Sequence, residues 1–165
     1  MALLCGASTT WTAAACIESY DPAVDYFPHK TSLQYAESFA VEYFNNYKVI
    51  TVLAPWPGAA ESVQYVLVQC GTPAPAGYAG AQRIEVPVRR LAIMSTTQLP
   101  HLELLDAVDR LVAVSDIKMV HSAAVNRRFK DGAIAEIGHS RGNQFHDSNR
   151  ICSRLDCADL GVRHH

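Results

Sequence analysis

The first patterned stretch, residues 39–52, is a pair of β-branched and aromatic runs on either side of Asn45-Asn46. Asn tolerates positive φ, so the spacing predicts a β-hairpin turning at this pair. Pro55-Trp56-Pro57-Gly58 then breaks the chain, with Trp56 read as a loop anchor packed on the sheet in preference to a cleft wall. Residues 64–70, Gln-Tyr-Val-Leu-Val-Gln-Cys, form a continuous apolar strand stopped by Gly71-Thr72-Pro73. A loop rich in Ala, Gly and Pro runs to Gly80. Strands are predicted at 82–86 and 91–94, and Pro87 between them marks a break or an edge.

The period changes at Ser95. Ser95-Thr96-Thr97 supplies hydroxyl caps, Pro100 falls early, and Leu99, Leu102, Leu105 and Val108 recur about every three residues, which predicts a helix with one apolar face. Residues 110–114 return to strand, Ser115-Asp116 turns, 123–130 reads as a short helix and 133–137 as a short strand before Gly138. Strand, helix, strand, helix, strand is a βαβ series, so the fold class is α/β with a parallel sheet preceded by a hairpin. Residues 17–30, with two prolines and no period, read as a tether.

Composition narrows the functional classes. A chain of 165 residues that is 49% hydrophobic holds one domain with a real core and is too short for two lobes. Fourteen basic against sixteen acidic side chains, a net charge of −2, provide no electrostatic footprint for nucleic acid. No apolar run reaches membrane-spanning length.

Five cysteines (Cys5, Cys16, Cys70, Cys152, Cys157) are an odd number without framework spacing, which argues against a disulfide-stapled mini-domain. Cys16 follows Thr12-Ala13-Ala14-Ala15 and an uncharged stretch, like the end of a secretory signal. The pattern resembles a bacterial lipoprotein cleavage box, in which this thiol is acylated and becomes the lipid anchor, the one expected link to a membrane. Met1-Ala2-Leu3 lacks the positive opening of a signal, so a frayed Ala/Thr-rich N-terminus stays open as the alternative. Cys70, ending an apolar strand, reads as a buried inert thiol rather than a nucleophile.

Residues 88–102, Val-Arg-Arg-Leu-Ala-Ile-Met-Ser-Thr-Thr-Gln-Leu-Pro-His-Leu, and 108–115, Val-Asp-Arg-Leu-Val-Ala-Val-Ser, resemble the N-terminal lobe of periplasmic substrate-binding proteins of the iron–siderophore and cobalamin class. Asp25-Tyr26-Phe27-Pro28-His29-Lys30 and Val66-Leu67-Val68-Gln69-Cys70-Gly71-Thr72-Pro73 look like a lipoprotein branch of that family. The resemblance covers roughly residues 16–138 and lies in the linear order of its pieces. It implies a partial Rossmann-like N-terminal lobe of a two-lobed binding protein, without enzymatic activity or cofactor. It further implies a ferric siderophore or related chelate held in the cleft and delivered to an ABC permease of the inner membrane. The expected organisation is a signal-like segment at 1–15, a tether at 16–35, the lobe at 36–138 and an atypical, disordered tail at 139–165.

Ligands of open α/β sheets sit beyond the carboxyl ends of strands, where helix N-termini present free N–H groups. This places Ser95, Thr96 and Thr97 as candidate ligand-binding residues, with Ser115 and Asp116 at the end of the next strand. Capping of the helix by Ser95 and Thr96 is the competing use of the same hydroxyls.

After Gly138 the resemblance ends. The last 28 residues hold four of the seven histidines and two of the five cysteines, with no apolar face, the composition expected of a truncated or frame-disrupted family member. Gly138-His139-Ser140-Arg141-Gly142 nevertheless matches a nucleophile elbow after a candidate strand. Ser140, with Asp156 or Asp159 and then His164, has the chain order of an α/β-hydrolase triad, which is the alternative function. Only 23 residues follow Gly142, little room for the strands that carry the acid and the base. His146, Cys152, Cys157, His164 and His165 lack paired zinc-site spacing, so no metal site is expected there.

Overall fold

A computed structural model describes residues 16–138. The signal-like segment 1–15 and the tail 139–165, with Ser140, Asp156, Asp159 and His164, lie outside the described residues. Within them the chain is mixed α/β, with two sheets and few helices.

The alternating runs pair as the sequence predicts. β1 (Phe39–Tyr43) and β2 (Tyr47–Val52) are antiparallel, with Phe39 opposite Val52 and Tyr43 opposite Lys48. β3 (Val63–Gln69) lies antiparallel beside β2, Val49 facing Val66 and Tyr47 facing Val68, and β4 (Gln82–Val86) pairs parallel to β3. The two-residue pleat puts Tyr47, Val49, Val66 and Val68 on one face. There the three valines are buried, and Tyr47, Tyr78 and Ala81 pack against them.

The turn works differently from the expectation. Among the described residues only Asp106 and glycines have positive φ, so neither Asn45 nor Asn46 uses that freedom. Asn46 is buried, and its amide donates to Thr72 Oγ1 at 3.1 Å and to the Pro73 carbonyl at 2.9 Å, while its own carbonyl accepts from Gln69 N–H at 2.9 Å. The hairpin turn therefore holds the loop after β3 by satisfying buried polar groups.

Pro87, in a cis peptide with Val86, separates the first sheet from the second. β5 (Leu91–Ile93), β6 (Leu111–Val114) and β7 (Ala135–Glu136) form a parallel sheet in sequential order. Between β5 and β6 run a 3-10 turn at Thr96–Gln98, α1 (Leu99–Leu104) and a second turn at Val108–Arg110. Between β6 and β7 run a turn at Ile117–Met119 and α2 (Ala123–Lys130). Ser122 caps α2, accepting from Val125 N–H at 3.4 Å and donating to Glu103 Oε1 at 2.6 Å. Arg128 Nη2 donates to the Asp109 carbonyl at 2.8 Å, tying α2 to the start of β6. Ile93, Leu99, Leu111, Val114, Val125 and Ile134 form the core between sheet and helices.

Three expectations are corrected. The helix predicted from Ser95 to Val108 is only six residues long, because steps of three advance 300° around a helix and rotate an apolar stripe by 60° each time. Leu99 is buried and Leu102 and Val108 pack on the core, but Leu105 is 74% exposed, on the outside of a reversal that the Ala107 N–H closes by donating to the Leu102 carbonyl at 2.8 Å. Trp56 is 61% exposed and does not anchor its loop. The stretch read as a tether is fastened to the first sheet. Tyr26 N–H donates to the Asn45 carbonyl at 2.7 Å, Asn45 Nδ2 donates to the Pro22 carbonyl at 2.9 Å, and Lys48 lies over the Phe27 ring.

Leu111→Ala removes a fully buried side chain and is expected to lower stability by about 3 kcal/mol, against less than about 0.5 for Leu105→Ala. The midpoint of urea unfolding, at unchanged slope, measures both.

Tyr47 is stacked on Phe44 at 4.3 Å between ring centres and lies edge-on to Tyr78, and this burial, with the Tyr78 hydroxyl beside it, pushes its phenol up to about 12. Folding therefore favours the neutral phenol. The unfolded chain ionises this tyrosine first, near its ordinary value of 10, so the associated stability is intact below that pH and is lost as pH rises through about 12. Alkaline titration followed by tyrosinate absorbance is expected to show a late phase that Tyr47→Phe removes.

Candidate functional site

Because β5, β6 and β7 are parallel, their carboxyl ends lie along one sheet edge. Ser115 N–H donates to the Ile93 carbonyl at 3.1 Å, and Gly138 N–H donates to the Ser115 carbonyl at 2.9 Å, so the pairing continues past the strands. This juxtaposition brings Ser95–Thr97, Ser115–Asp116 and Gly138 to the same edge.

The candidates there are not equivalent. Ser95 and Thr97 are exposed, and their hydroxyls share a hydrogen bond of 2.8 Å. Ser95 Oγ also accepts from Thr97 N–H at 3.4 Å, so it caps the 3-10 turn while still facing solvent. Thr96 is half-buried. Ser115 is buried, and Asp116 Oδ1 accepts from Lys118 N–H at 2.8 Å, capping the Ile117–Met119 turn. The expected helix dipole is weak at this edge, since a three-residue turn and a six-residue helix align few peptide dipoles. The chemistry offered is hydroxyl hydrogen bonding, with Met94 and Met119 exposed nearby in sequence as soft apolar surface. The sequence reading passed over both methionines.

A second cluster sits at the carboxyl end of β3. Cys16 and Cys70 form a disulfide, with Cα atoms 4.8 Å apart and a sequence separation of 54. Beside it the backbone is in close contact: Ile17 N–H donates to the Cys70 carbonyl at 2.9 Å, and Gly71, at φ +81°, leaves no room for a Cβ against the Ile17 backbone. Arg89 Nη2 donates to Cys16 Sγ at 2.8 Å, and the exposed Glu85 carboxylate lies within the same cluster. A cleft of about 210 Å³ opens alongside, lined by Gln69, Thr72, Arg83 and Glu85 among others. A lipid thioether at Cys16 and this disulfide require the same sulfur, and the structure holds the disulfide. The inert free thiol read at Cys70 is likewise corrected. Cysteine count and spacing carried no signal of this pairing; the fold supplies it by returning residue 17 to the end of β3.

No family model, curated protein or solved structure matches the chain.

Gly71→Ala puts a methyl group into the Ile17 backbone and is expected to unseat residues 16 and 17. Thiol counting on the unfolded, unreduced protein is expected to find Cys16 and Cys70 free in a large fraction of the variant. The disulfide itself closes a loop whose length predicts a contribution of about 4 kcal/mol, read as the loss of stability in Cys16→Ser.

Proposed function

We propose that this chain is the substrate-binding component of an ABC importer, taking a ferric siderophore or related metal chelate, with its parallel sheet as a Rossmann-like N-terminal lobe. The observation that carries the reading is the convergence of three parallel strand ends on one edge that exposes the paired hydroxyls of Ser95 and Thr97. Linked to each other, these two hydroxyls keep one O–H and several lone pairs for an external partner, which suits the oxygen-rich rim of a chelate. Ser115 supports the edge from beneath, and Asp116 shapes the next turn. Binding and release, without catalysis or cofactor, is the chemistry such a surface performs.

Delivery to a permease of the inner membrane places the protein in the cell envelope. The Cys16–Cys70 disulfide supports that location, because such bonds persist in oxidising compartments. Nucleic acid is not among the partners proposed.

Capture by this edge alone is weak, since tight sites bury most of their ligand and one wall leaves much of it wet. Titration with ferric hydroxamate and catecholate chelates, followed by tryptophan fluorescence, is expected to saturate with a Kd of about 10 μM or weaker. The double change Ser95→Ala and Thr97→Ala is expected to abolish the response and Ser140→Ala to leave it intact. Absence of any saturable response would overturn the reading, and ester hydrolysis lost on Ser140→Ala would replace it with the hydrolase.

A further inference from the structure

We infer that the Cys16–Cys70 pair, once reduced, forms with Glu85 a binding site for a thiophilic divalent cation of the zinc class. This rests on the cluster at the end of β3 and owes nothing to the reading of the other sheet edge. The two sulfurs and a Glu85 carboxylate oxygen all lie within 4.8 Å of one another. A tetrahedral zinc ion, with bonds of about 2.3 Å to sulfur and 2.0–2.2 Å to oxygen, needs ligand atoms roughly 3.5–3.8 Å apart. The cluster therefore requires only side-chain rotation once the sulfurs separate.

What keeps the ligands together after reduction is backbone. Ile17 N–H remains bonded to the Cys70 carbonyl, and the Gly71 contact seats residue 17 whether or not the sulfurs are joined. Cys70 is held in turn by its own N–H, which donates to the Val86 carbonyl at 2.8 Å, one residue beyond Glu85. The three ligands thus come from segments already fastened to each other, and ion binding has little chain left to order.

Charge and access agree with this. Two thiolates and one carboxylate carry −3, and a divalent cation with the Arg89 guanidinium beside Cys16 brings +3, so the loaded cluster is neutral. Cys70 is buried, Cys16 is half-buried, and Glu85 and Arg89 are exposed, leaving the fourth coordination position open on the solvent side. Three protein ligands with an open fourth position is the arrangement of zinc sites that bind an external group.

Opening the pair needs a dithiol reductant. One of its thiolates attacks the more accessible Cys16 sulfur, forming a mixed disulfide and releasing Cys70 as thiolate. The second thiol of the reductant then closes its own disulfide and releases Cys16, so the pair gains two electrons that the reductant loses. Arg89 stabilises the Cys16 thiolate as it forms. The cation takes the place of the two thiol protons, which pass to solvent.

The test uses the full chain with Cys5, Cys152 and Cys157 changed to Ser, so that thiolate signals report this pair alone. The protein is reduced, freed of reductant and titrated with Co²⁺. Expected is a sulfur-to-cobalt charge-transfer absorption that saturates at one equivalent, disappears when Zn²⁺ is added, and is absent from the oxidised protein. Cys16→Ser and Cys70→Ser are expected to abolish it. Glu85→Gln, an exposed substitution that leaves the fold alone, is expected to weaken binding at least about tenfold. The proposal is overturned by a missing band in the reduced protein or by a band indifferent to Glu85→Gln. Loss of far-ultraviolet circular dichroism on reduction also overturns it, since the backbone contacts must then depend on the disulfide.

Discussion

Burial of β6 on both faces is the constraint on which the second sheet depends. Parallel strands need cover above and below, because their crossover connections lie over the sheet. Leu111, Ala113 and Val114 are all nearly inaccessible, in a strand of four residues flanked by β5 and β7. Leu99 from α1 and Val125 from α2 join the same core. With so few helical residues, each apolar contact to β6 carries a large share of the packing that keeps the three strands aligned. That alignment is what puts Ser95, Ser115 and Gly138 on a common edge.

The first sheet solves a different problem. β1 to β3 are antiparallel and leave one face to be covered, which Tyr47, Tyr78 and Ala81 do only in part. The segment 16–30 adds no strand, but it bonds twice to one end of the sheet, Ile17 to Cys70 after β3 and Tyr26 to Asn45 in the adjoining hairpin turn. Lys30 and Asp25 form an ion pair of 2.8 Å within it, and that lysine, together with the Phe27 N–H, holds the Asp25 carboxyl below its ordinary range. An exposed pair of this kind adds little to stability. Fastening of the segment falls mainly to the backbone contacts and the disulfide.

Much of this was legible in the sequence, and the pattern of success has a physical basis. The strand at Gln82–Val86 and the helix at Ala123–Lys130 sit where period and capping place them, since Ser122 gives a local start signal and the flanking loops break the pattern. The βαβ order predicts the parallel pairing of β5, β6 and β7, which depends on connection handedness and not on side-chain detail. The reading failed where residues far apart decide the outcome. Leu105 belongs to an apolar spacing but lies beyond a helix stop that carries no glycine, and Asn46 is chosen for an amide that reaches Thr72 and Pro73, 26 and 27 residues away. Cys16 was assigned from its neighbours in sequence, whereas its partner stands 54 residues on.

Both candidate regions nevertheless arise from one geometric rule. Where a strand runs parallel to its neighbour, the chain must leave at the carboxyl end and return at the other, so that end collects loops with free hydrogen-bonding groups. Ser95 and Ser115 follow β5 and β6 in this way, and Cys70 follows β3, whose neighbour β4 is parallel. After β5 and β6 the chain enters short helical turns, capped by the side chains of Ser95 and Asp116. At β3 no helix follows; the loop is held by Asn46 and Thr72, and the space beside it admits the backbone of residue 17 because residue 71 is glycine. The difference between a polar edge and a thiol-bearing one thus comes down to what the chain does immediately after the strand.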